Sequence, residues 1–370
     1  MRIAAILLLI TLFCGGPAPL TAVSAGEPLR GMIKLKLDGQ WIEGQPLDWS
    51  KDRVDLLGRD GQLWQFDPDR ATEFSKTADR FRPATTSQLR ATLLRELGSG
   101  FEISGTSHYM VAHKAGQRDK WAPRFEELYR SFVHYFSVRG FKAKEPAFPL
   151  VGIVCGNRSD LYRYTAKRGS APPVGLLGYY EPKSNRIALY DMGRLAAGKQ
   201  GTGNSDTWQE NAAVIIHEAT HQTAFNTGIH SRITRPPLWV AEGLATMFEA
   251  PGVHDSRGHA NREDRINHGR LKAFRQSVAA GHHEGLIRAI VASDKPFRTN
   301  PALAYAEAWA LTFYLAETQP LKYTKYLALT AKQRPSANYA PPQRLADFTS
   351  VFGDDWRMLE ARLLRFMSSL

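Results

Sequence analysis

The sequence predicts an α+β fold preceded by a small all-β unit. Three patterns support this prediction: apolar and polar residues alternate between residues 30 and 75, strand-like and helix-like segments alternate between residues 101 and 190, and helical patterns follow as far as residue 367. The 370 residues suffice for one large or two modest domains with a hydrophobic core. A hydrophobic content of 43% and eight Trp residues indicate a globular protein and exclude an intrinsically disordered one.

Residues 1–25 have the features of a secretory signal peptide. Arg2 supplies a positive charge, residues 3–13 are apolar, and small residues lead up to Ala25 as a cleavage site. The apolar run is too short to span a bilayer comfortably, so we expect cleavage and export to the periplasm or the exterior. Lipidation at Cys14 is the less favoured alternative. No later apolar run is long enough to span a bilayer, which predicts a soluble mature chain.

Residues 26–80 are predicted to form the small β unit. Ile33, Leu35 and Leu37 alternate with charged residues, which is the period of a strand. Two further apolar runs flank Arg59-Asp60-Gly61, which is a hairpin signal. The size of the unit suggests an SH3-like barrel. We expect this unit to be a structural cap, and the alternative is that it docks a substrate or a partner.

Residues 81–370 are predicted to form one mixed α+β domain. Helices are expected at 87–97, 121–140 and 160–167, strands at 101–113 and 149–155, a hairpin at 178–190, and six helices at 271–280, 285–293, 302–318, 321–332, 344–352 and 356–367. The Gly-rich residues 192–205 have no periodicity and predict a loop.

His217 and His221 are one helical turn apart in the segment His217-Glu218-Ala219-Thr220-His221. Because four residues make about 400° of helical rotation, both imidazoles project from nearly the same face and can ligate one metal ion. Glu218 lies beside them, close to the water that such an ion would carry. This is the H-E-x-x-H arrangement of zinc peptidases. The alternative is a surface helix with two solvated histidines.

Glu242, 21 residues after His221, is the predicted third ligand. Zinc needs three protein ligands if water is to occupy the fourth position. Pro236-Pro237 can initiate a short second helix that carries Glu242. Residues 228–235 are enough to let this helix fold back against the first, and Gly243 would allow close approach of the two backbones.

The pair of motifs H-E-x-x-H and W-V-x-E-G-x-A (residues 239–245) resembles the gluzincin metallopeptidases, whose third zinc ligand is a glutamate on the following helix. More closely, it resembles the peptidase-MA-like group known as the domain of unknown function 1570. Further sequence segments that match this group lie at residues 178–180, 185–190 and 305–309. The resemblance covers roughly residues 100–318, and its specific part is the metal motif. The spacing between the two motifs is slightly longer than in the best-known gluzincins.

The resemblance implies a zincin-like metallopeptidase domain, with a mixed-sheet upper lobe and a helical lower lobe. It implies that His217, His221 and Glu242 bind one Zn²⁺ per chain and that Glu218 is a general base and then a general acid. The last strand of the upper lobe borders the cleft in such folds and can bind an extended peptide or protein substrate.

A second group that stabilises the oxyanion is also expected. Tyr305 is comparable in position with the transition-state tyrosine of related peptidases, and the alternative is a core tyrosine that packs with Trp309 and Phe313. His282 and His283 are lesser candidates.

Glu249 lies seven residues after Glu242 and therefore on the same helical face. It is expected either to orient a ligand histidine or to point into water.

The mature chain would retain one cysteine, Cys155, within a strand-like run. An intrachain disulfide is therefore excluded. We expect Cys155 to be a small buried hydrophobic side chain and not a metal ligand.

The net charge of +12 raises the question of an anionic partner. Nucleic acid is disfavoured by the predicted export and by the absence of an aromatic-basic binding motif. A solubilising surface is favoured, with attraction to anionic cell-surface polymers as the alternative.

The sequence thus predicts an exported zinc metallopeptidase. The alternative is a non-catalytic zinc-containing protein that binds peptides or cell-surface polymers. Glu218 favours the enzyme, because a site without catalysis has no physical need for the base.

Overall fold

The computed structural model describes residues 31–116, 120–169, 175–192, 206–282, 284–333 and 339–370, and for residues 206–211 only the backbone. The predicted signal peptide, nearly all of the predicted Gly-rich loop and His283 lie outside these residues. The described chain forms two five-stranded sheets and thirteen helices. The predicted α+β class is therefore confirmed, and the zincin-like identity stays a prediction.

The N-terminal sheet consists of five strands in which each neighbouring pair is antiparallel. They are β1 Met32–Leu37, β2 Gln40–Trp49, β3 Val54–Gly58, β4 Leu63–Phe66 and β5 Ala71–Ala78. Their order is β4-β3-β2-β1-β5, and Leu35, Val54 and Leu56 are fully buried in its core. The predicted first strand and the hairpin around Gly61 are confirmed.

The predicted SH3-like barrel is wrong, because within the described residues the sheet stays open. β4 and β5 lie at opposite edges. The amide of Leu63, at the start of β4, donates a 2.6 Å hydrogen bond to the carbonyl of Lys183, which lies outside this sheet. The β4 edge is therefore used to join the N-terminal sheet to the rest of the molecule.

The second sheet has a parallel centre and antiparallel edges. Its strands are β6 Phe101–Gly105, β7 Tyr109–Lys114, β8 Leu150–Cys155, β9 Gly178–Glu181 and β10 Arg186–Tyr190. The order is β6-β7-β8-β10-β9, with β7, β8 and β10 parallel. Three helices accompany it, namely α1 Thr86–Leu97, α2 Ala122–Ser137 and α3 Arg158–Lys167. The edge strand β9 faces the helices described next, and the predicted hairpin at 178–190 is confirmed.

The strand predicted at 101–113 is wrong as one element, because it is a hairpin of β6 and β7. The chain turns at residues 106–108, where the Glu126 carboxylate accepts hydrogen bonds of 2.9 Å from the Thr106 hydroxyl and 3.0 Å from the His108 amide. The Glu126 carboxylate on α2 thus stabilises a turn between two strands, and the hydropathy pattern of the sequence does not indicate this turn.

The rest of the described chain is helical. Its helices are α4 Asp206–Thr227, α5 Leu238–Phe248, α6 Pro251–His254, α7 His268–Ala279, α8 Leu286–Ala292, α9 Lys295–Thr299, α10 Pro301–Thr318, α11 Pro320–Ala331, α12 Pro341–Phe352 and α13 Trp356–Ser368. The six helices predicted after residue 270 are confirmed, and the short α6 and α9 are additional. Among the described residues, no helix has both the length and the apolar character needed to cross a bilayer.

The close approach predicted at Gly243 occurs, but its partner is α10. A Cβ atom at this position would lie 2.3 Å from Oγ1 of Thr312 and 2.6 Å from the carbonyl oxygen of Ala308. Only glycine therefore permits the observed spacing of α5 and α10. This contact places α10, with Tyr305 near its start, directly beside the helix that carries Glu242.

Candidate metal centre

Helix α4 carries both histidines of the H-E-x-x-H segment. It ends at Thr227, and Gly228 follows with φ +86°, the left-handed conformation that commonly ends a helix. Ile215 and Ala219 are buried in the core, which fixes the rotation of the helix. The side chains of His217 and His221 are consequently held in place and are only 17% and 11% exposed.

Glu242 lies on α5, whose start and one face are fixed to the helical region. The amide of Leu238 donates a 3.0 Å hydrogen bond to Oδ1 of Asp294, which satisfies one of the free N–H groups of the first turn. The buried ring of Trp239 stacks on Tyr326, with 5.6 Å between the ring centroids. These contacts position α5 so that Glu242 points towards α4.

The structure brings His217, His221 and Glu242 together in one triangle. The Nε2 atoms of the two histidines are 3.2 Å apart, and Oε2 of Glu242 lies 3.4 Å from Nε2 of His217 and 3.5 Å from Nε2 of His221. In a tetrahedral site with bonds of about 2.0–2.2 Å, adjacent ligand atoms are about 3.3–3.6 Å apart. The three atoms are close to this spacing and could hold one metal ion.

Glu249 contacts a histidine and does not point into water, while the role of that histidine as a metal ligand stays a prediction. Its Oε1 lies 2.8 Å from Nδ1 of His217. Its Oε2 accepts a 2.8 Å hydrogen bond from Nδ2 of Asn267, which also donates to the carbonyl of Thr246 at 3.1 Å. The His217 ring is therefore fixed with Nδ1 towards Glu249 and Nε2 towards the triangle.

The charges of the triangle shift the pKa values of its members. Burial disfavours the charged form of His217, but the carboxylates of Glu242 and Glu249 outweigh it and raise the pKa of His217 to about 10. Burial disfavours the charged form of Glu242 as well, but His221 and His217 hold the pKa of that carboxyl well below its usual range. A cation and an anion are thus stabilised together where a metal would bind.

Glu218 does not belong to the triangle, and its carboxylate is fixed by the second sheet. Oε2 of Glu218 accepts a 2.7 Å hydrogen bond from the amide of Tyr180 on the edge strand β9. Such a bond satisfies an amide of an edge strand and orients the carboxylate beside His217. The predicted base is therefore held by a part of the chain that the H-E-x-x-H motif does not include.

Tyr305 is brought to the same place, and it also packs against the core cluster that contains Trp309 and Phe313. Trp309 and Phe313 are fully buried and stack on each other at 5.3 Å between centroids, but Tyr305 is only partly buried. Burial and the nearby carboxylates, that of Glu242 foremost, raise the pKa of Tyr305 above its usual range. Its hydroxyl faces Glu242. The role of Tyr305 stays a prediction.

His282 is exposed, and nothing in the described structure brings it to this site. Sequence reasoning missed three residues here: Asn267 behind Glu249, Arg270 with its guanidinium 5.1 Å from the Tyr305 ring centroid, and the buried His230 on the loop after α4. Asn267 alone had a usable signal, because it is the N-cap of α7 and Asn is a preferred N-cap residue.

Residues 211–337 match a family model described as a protein of unknown function (DUF1570). The chain is similar to DUF1570 over this segment. The match spans 127 of the 370 residues and includes the H-E-x-x-H segment, Glu242 and Tyr305. The family description names no activity and transfers none to this chain. A comparison with curated proteins found no match.

Proposed function

We propose that this chain is an exported zinc metallopeptidase of gluzincin type that hydrolyses peptide bonds. The observation that carries the proposal is the triangle formed by His217, His221 and Glu242, with Glu218 beside it but outside it. A merely structural zinc site is usually closed by four protein ligands, whereas three ligands leave room for water or substrate. Export rests on residues 1–25 of the sequence.

The donor set favours zinc among the common metal ions. Two imidazole nitrogens and one carboxylate oxygen at tetrahedral spacing suit Zn²⁺, whereas Ca²⁺ and Mg²⁺ prefer six or more oxygen ligands. The bond between His217 and Glu249 supports the same assignment, since ligating histidines almost always donate their other ring N–H to an acceptor.

The residues around the triangle supply the remaining chemistry. A bound zinc ion would lower the pKa of water towards about 7 and polarise a carbonyl group. Glu218 would take the proton of the attacking water and then give it to the leaving nitrogen. Tyr305 would donate a hydrogen bond from its hydroxyl to the oxyanion, because a phenol is protonated at neutral pH and this one lies beside Glu242.

A peptide is the substrate class that the surroundings favour. The edge strand β9 lies next to Glu218, and an extended chain can lie along an edge strand by main-chain hydrogen bonding. A carboxylate beside three possible metal ligands and a strand edge suits the hydrolysis of an amide in an extended chain.

The test combines metal content with peptide cleavage in three proteins. Wild-type protein purified without chelator is expected to contain about one zinc per chain, Glu242→Ala less, and Glu218→Gln as much as wild type. Cleavage of a peptide library is expected from wild type alone, because Glu218→Gln removes the base and not a ligand. Absence of zinc from wild type after addition of Zn²⁺, or undiminished cleavage by Glu218→Gln, would refute the proposal. Zinc with peptide binding but no turnover would favour the non-catalytic alternative.

A further inference from the structure

Arg232 lies in the loop between α4 and α5, and its guanidinium bonds to the backbone of two distant segments. Its Nη2 donates to the carbonyl of Gly61 at 2.6 Å and to the carbonyls of Pro182 and Lys183 at 2.7 and 3.1 Å. Its Nε donates to the same Pro182 carbonyl at 2.9 Å. One side chain thus joins the β3–β4 turn of the N-terminal sheet to the β9–β10 turn.

Two further contacts join the same three segments. The Leu63 amide donates to the Lys183 carbonyl at 2.6 Å, and Nη2 of Arg53 donates to the carbonyl of Ile233 at 3.4 Å. The N-terminal sheet, the β9–β10 turn and the loop between the metal-site helices therefore meet at one place. The carbonyl oxygens there require donors, and the planar fork of Arg232 supplies several of them at once.

The β9–β10 turn is also fastened to α4 through Asn185, which has a positive φ of 59°. The Asn185 carbonyl accepts a 2.7 Å bond from Nε2 of Gln222, and its side-chain oxygen accepts bonds from Nδ2 of Asn226 at 2.7 Å and from the Tyr180 hydroxyl at 2.9 Å. The turn is thus held on one side by α4 and on the other by Arg232. Between these supports lies the amide that contacts Glu218.

We propose that Arg232 is a positioning residue that holds the Tyr180 amide against the Glu218 carboxylate by clamping the β9–β10 turn to the N-terminal sheet. The N-terminal sheet then serves the site as a support for its base, and not as a separate docking module. The catalytic consequence rests on the proposed peptidase function, whereas the structural consequence does not.

The substitutions that test this are Arg232→Ala and Arg232→Lys, with Arg235→Ala as the matched control. Lysine keeps the charge but cannot reach several carbonyls in the way that a guanidinium does, and it is the variant to use if Arg232→Ala does not fold. Arg235 lies three residues further along the same loop and is exposed. The full-length protein is used throughout.

Four quantities are measured: hydrogen exchange of the segment 178–190, zinc content, and kcat and KM for a cleaved peptide. Both Arg232 variants are expected to exchange faster at β9, to keep the wild-type zinc content and to lose about 10- to 100-fold in kcat with little change in KM, because a small misplacement of a catalytic group costs this much. Arg235→Ala is expected to match wild type.

Unchanged exchange at β9 in both variants would overturn the proposal, and so would a loss of zinc that accounts for the loss of kcat. If wild type itself cleaves no peptide, the proposed function fails, but the exchange measurement still decides whether Arg232 holds Tyr180 in place. The two failures are therefore distinguishable.

Discussion

Nδ1 of His217 lies 2.8 Å from Oε1 of Glu249, a carboxylate that Asn267 holds from its other side. This contact fixes which ring nitrogen of His217 faces Glu242 and His221. In the neutral ring it also places the proton on Nδ1, because the carboxylate can only accept. The basic lone pair is then on Nε2, where a metal would use it.

Removal of Glu249 should therefore weaken metal binding without removing a ligand. We expect Glu249→Ala to lower zinc affinity about 10- to 100-fold, measured by competition with a chromogenic chelator. Glu263→Ala is the control, since Glu263 is a largely exposed acid whose contact is the exposed His268. Equal affinities in the two variants would contradict this role for Glu249.

Loss of the Tyr305 hydroxyl should affect catalysis and leave the fold intact. For Tyr305→Phe we expect kcat to fall by about 10²- to 10³-fold, as for removal of one oxyanion donor, at unchanged zinc content and thermal stability. Tyr314→Phe on the same helix is the control, because Tyr314 is buried against Phe366 at 5.5 Å between centroids. A loss of stability with no loss of kcat would instead indicate a core tyrosine.

A methyl group at Gly243 should separate α5 from α10. Because its Cβ would clash with the Ala308 carbonyl and the Thr312 hydroxyl, we expect Gly243→Ala to lower the free energy of unfolding by about 1–3 kcal/mol. Denaturant unfolding measures this. Gly269→Ala, also in a helix, would meet only ordinary contact with Asn267 at 3.5 Å, so we expect it to be neutral or stabilising. If both variants unfold at the same denaturant concentration, α5 and α10 do not pack as closely at Gly243 as the structure indicates.

The stability of zinc-stripped protein should depend on pH through His217. Its pKa is raised from the usual 6.5 to about 10, so the proton it binds on folding stabilises the folded state fully below about pH 6.5, and this contribution is lost as pH rises through about 10. The lowered pKa of Glu242 has the opposite effect on the pH dependence. Its contribution stabilises the folded state above about pH 4.5 and is lost as the pH falls below that value.

The unfolding midpoint of stripped protein should therefore decrease from pH 6 to pH 10, and by less in His217→Asn. Zinc-loaded protein should show a weaker dependence over this range, because metal binding displaces the proton. Parallel curves for wild type and His217→Asn would show that His217 does not carry the dependence.

The sequence indicated the parts of the site whose geometry is local. His217 and His221 share a face because they are one helical turn apart, and Glu242 reaches them because the loop between the two helices is short. The position of Glu249 near the site was predictable because it lies on the same helical face as Glu242. Each of these relationships follows from spacing along a helix or across one turn.

The remaining features depend on partners that spacing does not specify. The β4 edge of the open N-terminal sheet bonds to Lys183 through Leu63, and the partner of Gly243 is α10 although α4 is nearer in sequence. The contact of Glu218 with the Tyr180 amide depends on the position of an entire edge strand. Such contacts involve backbone groups, which every residue has, so the amino-acid types leave no signal.

During folding, the triangle of His217, His221 and Glu242 can form earlier than the contacts that support Glu218. The three corners lie within residues 217–242, so little chain entropy is lost in bringing them together. The contact of Arg232 with Gly61, which supports the strand beside Glu218, instead spans 171 residues, and contacts of such separation form slowly. Folding would then complete the ion-binding cluster before the base is in place. An incompletely folded chain could carry a full complement of zinc and still be inactive, so zinc content alone would overestimate the active fraction of a preparation.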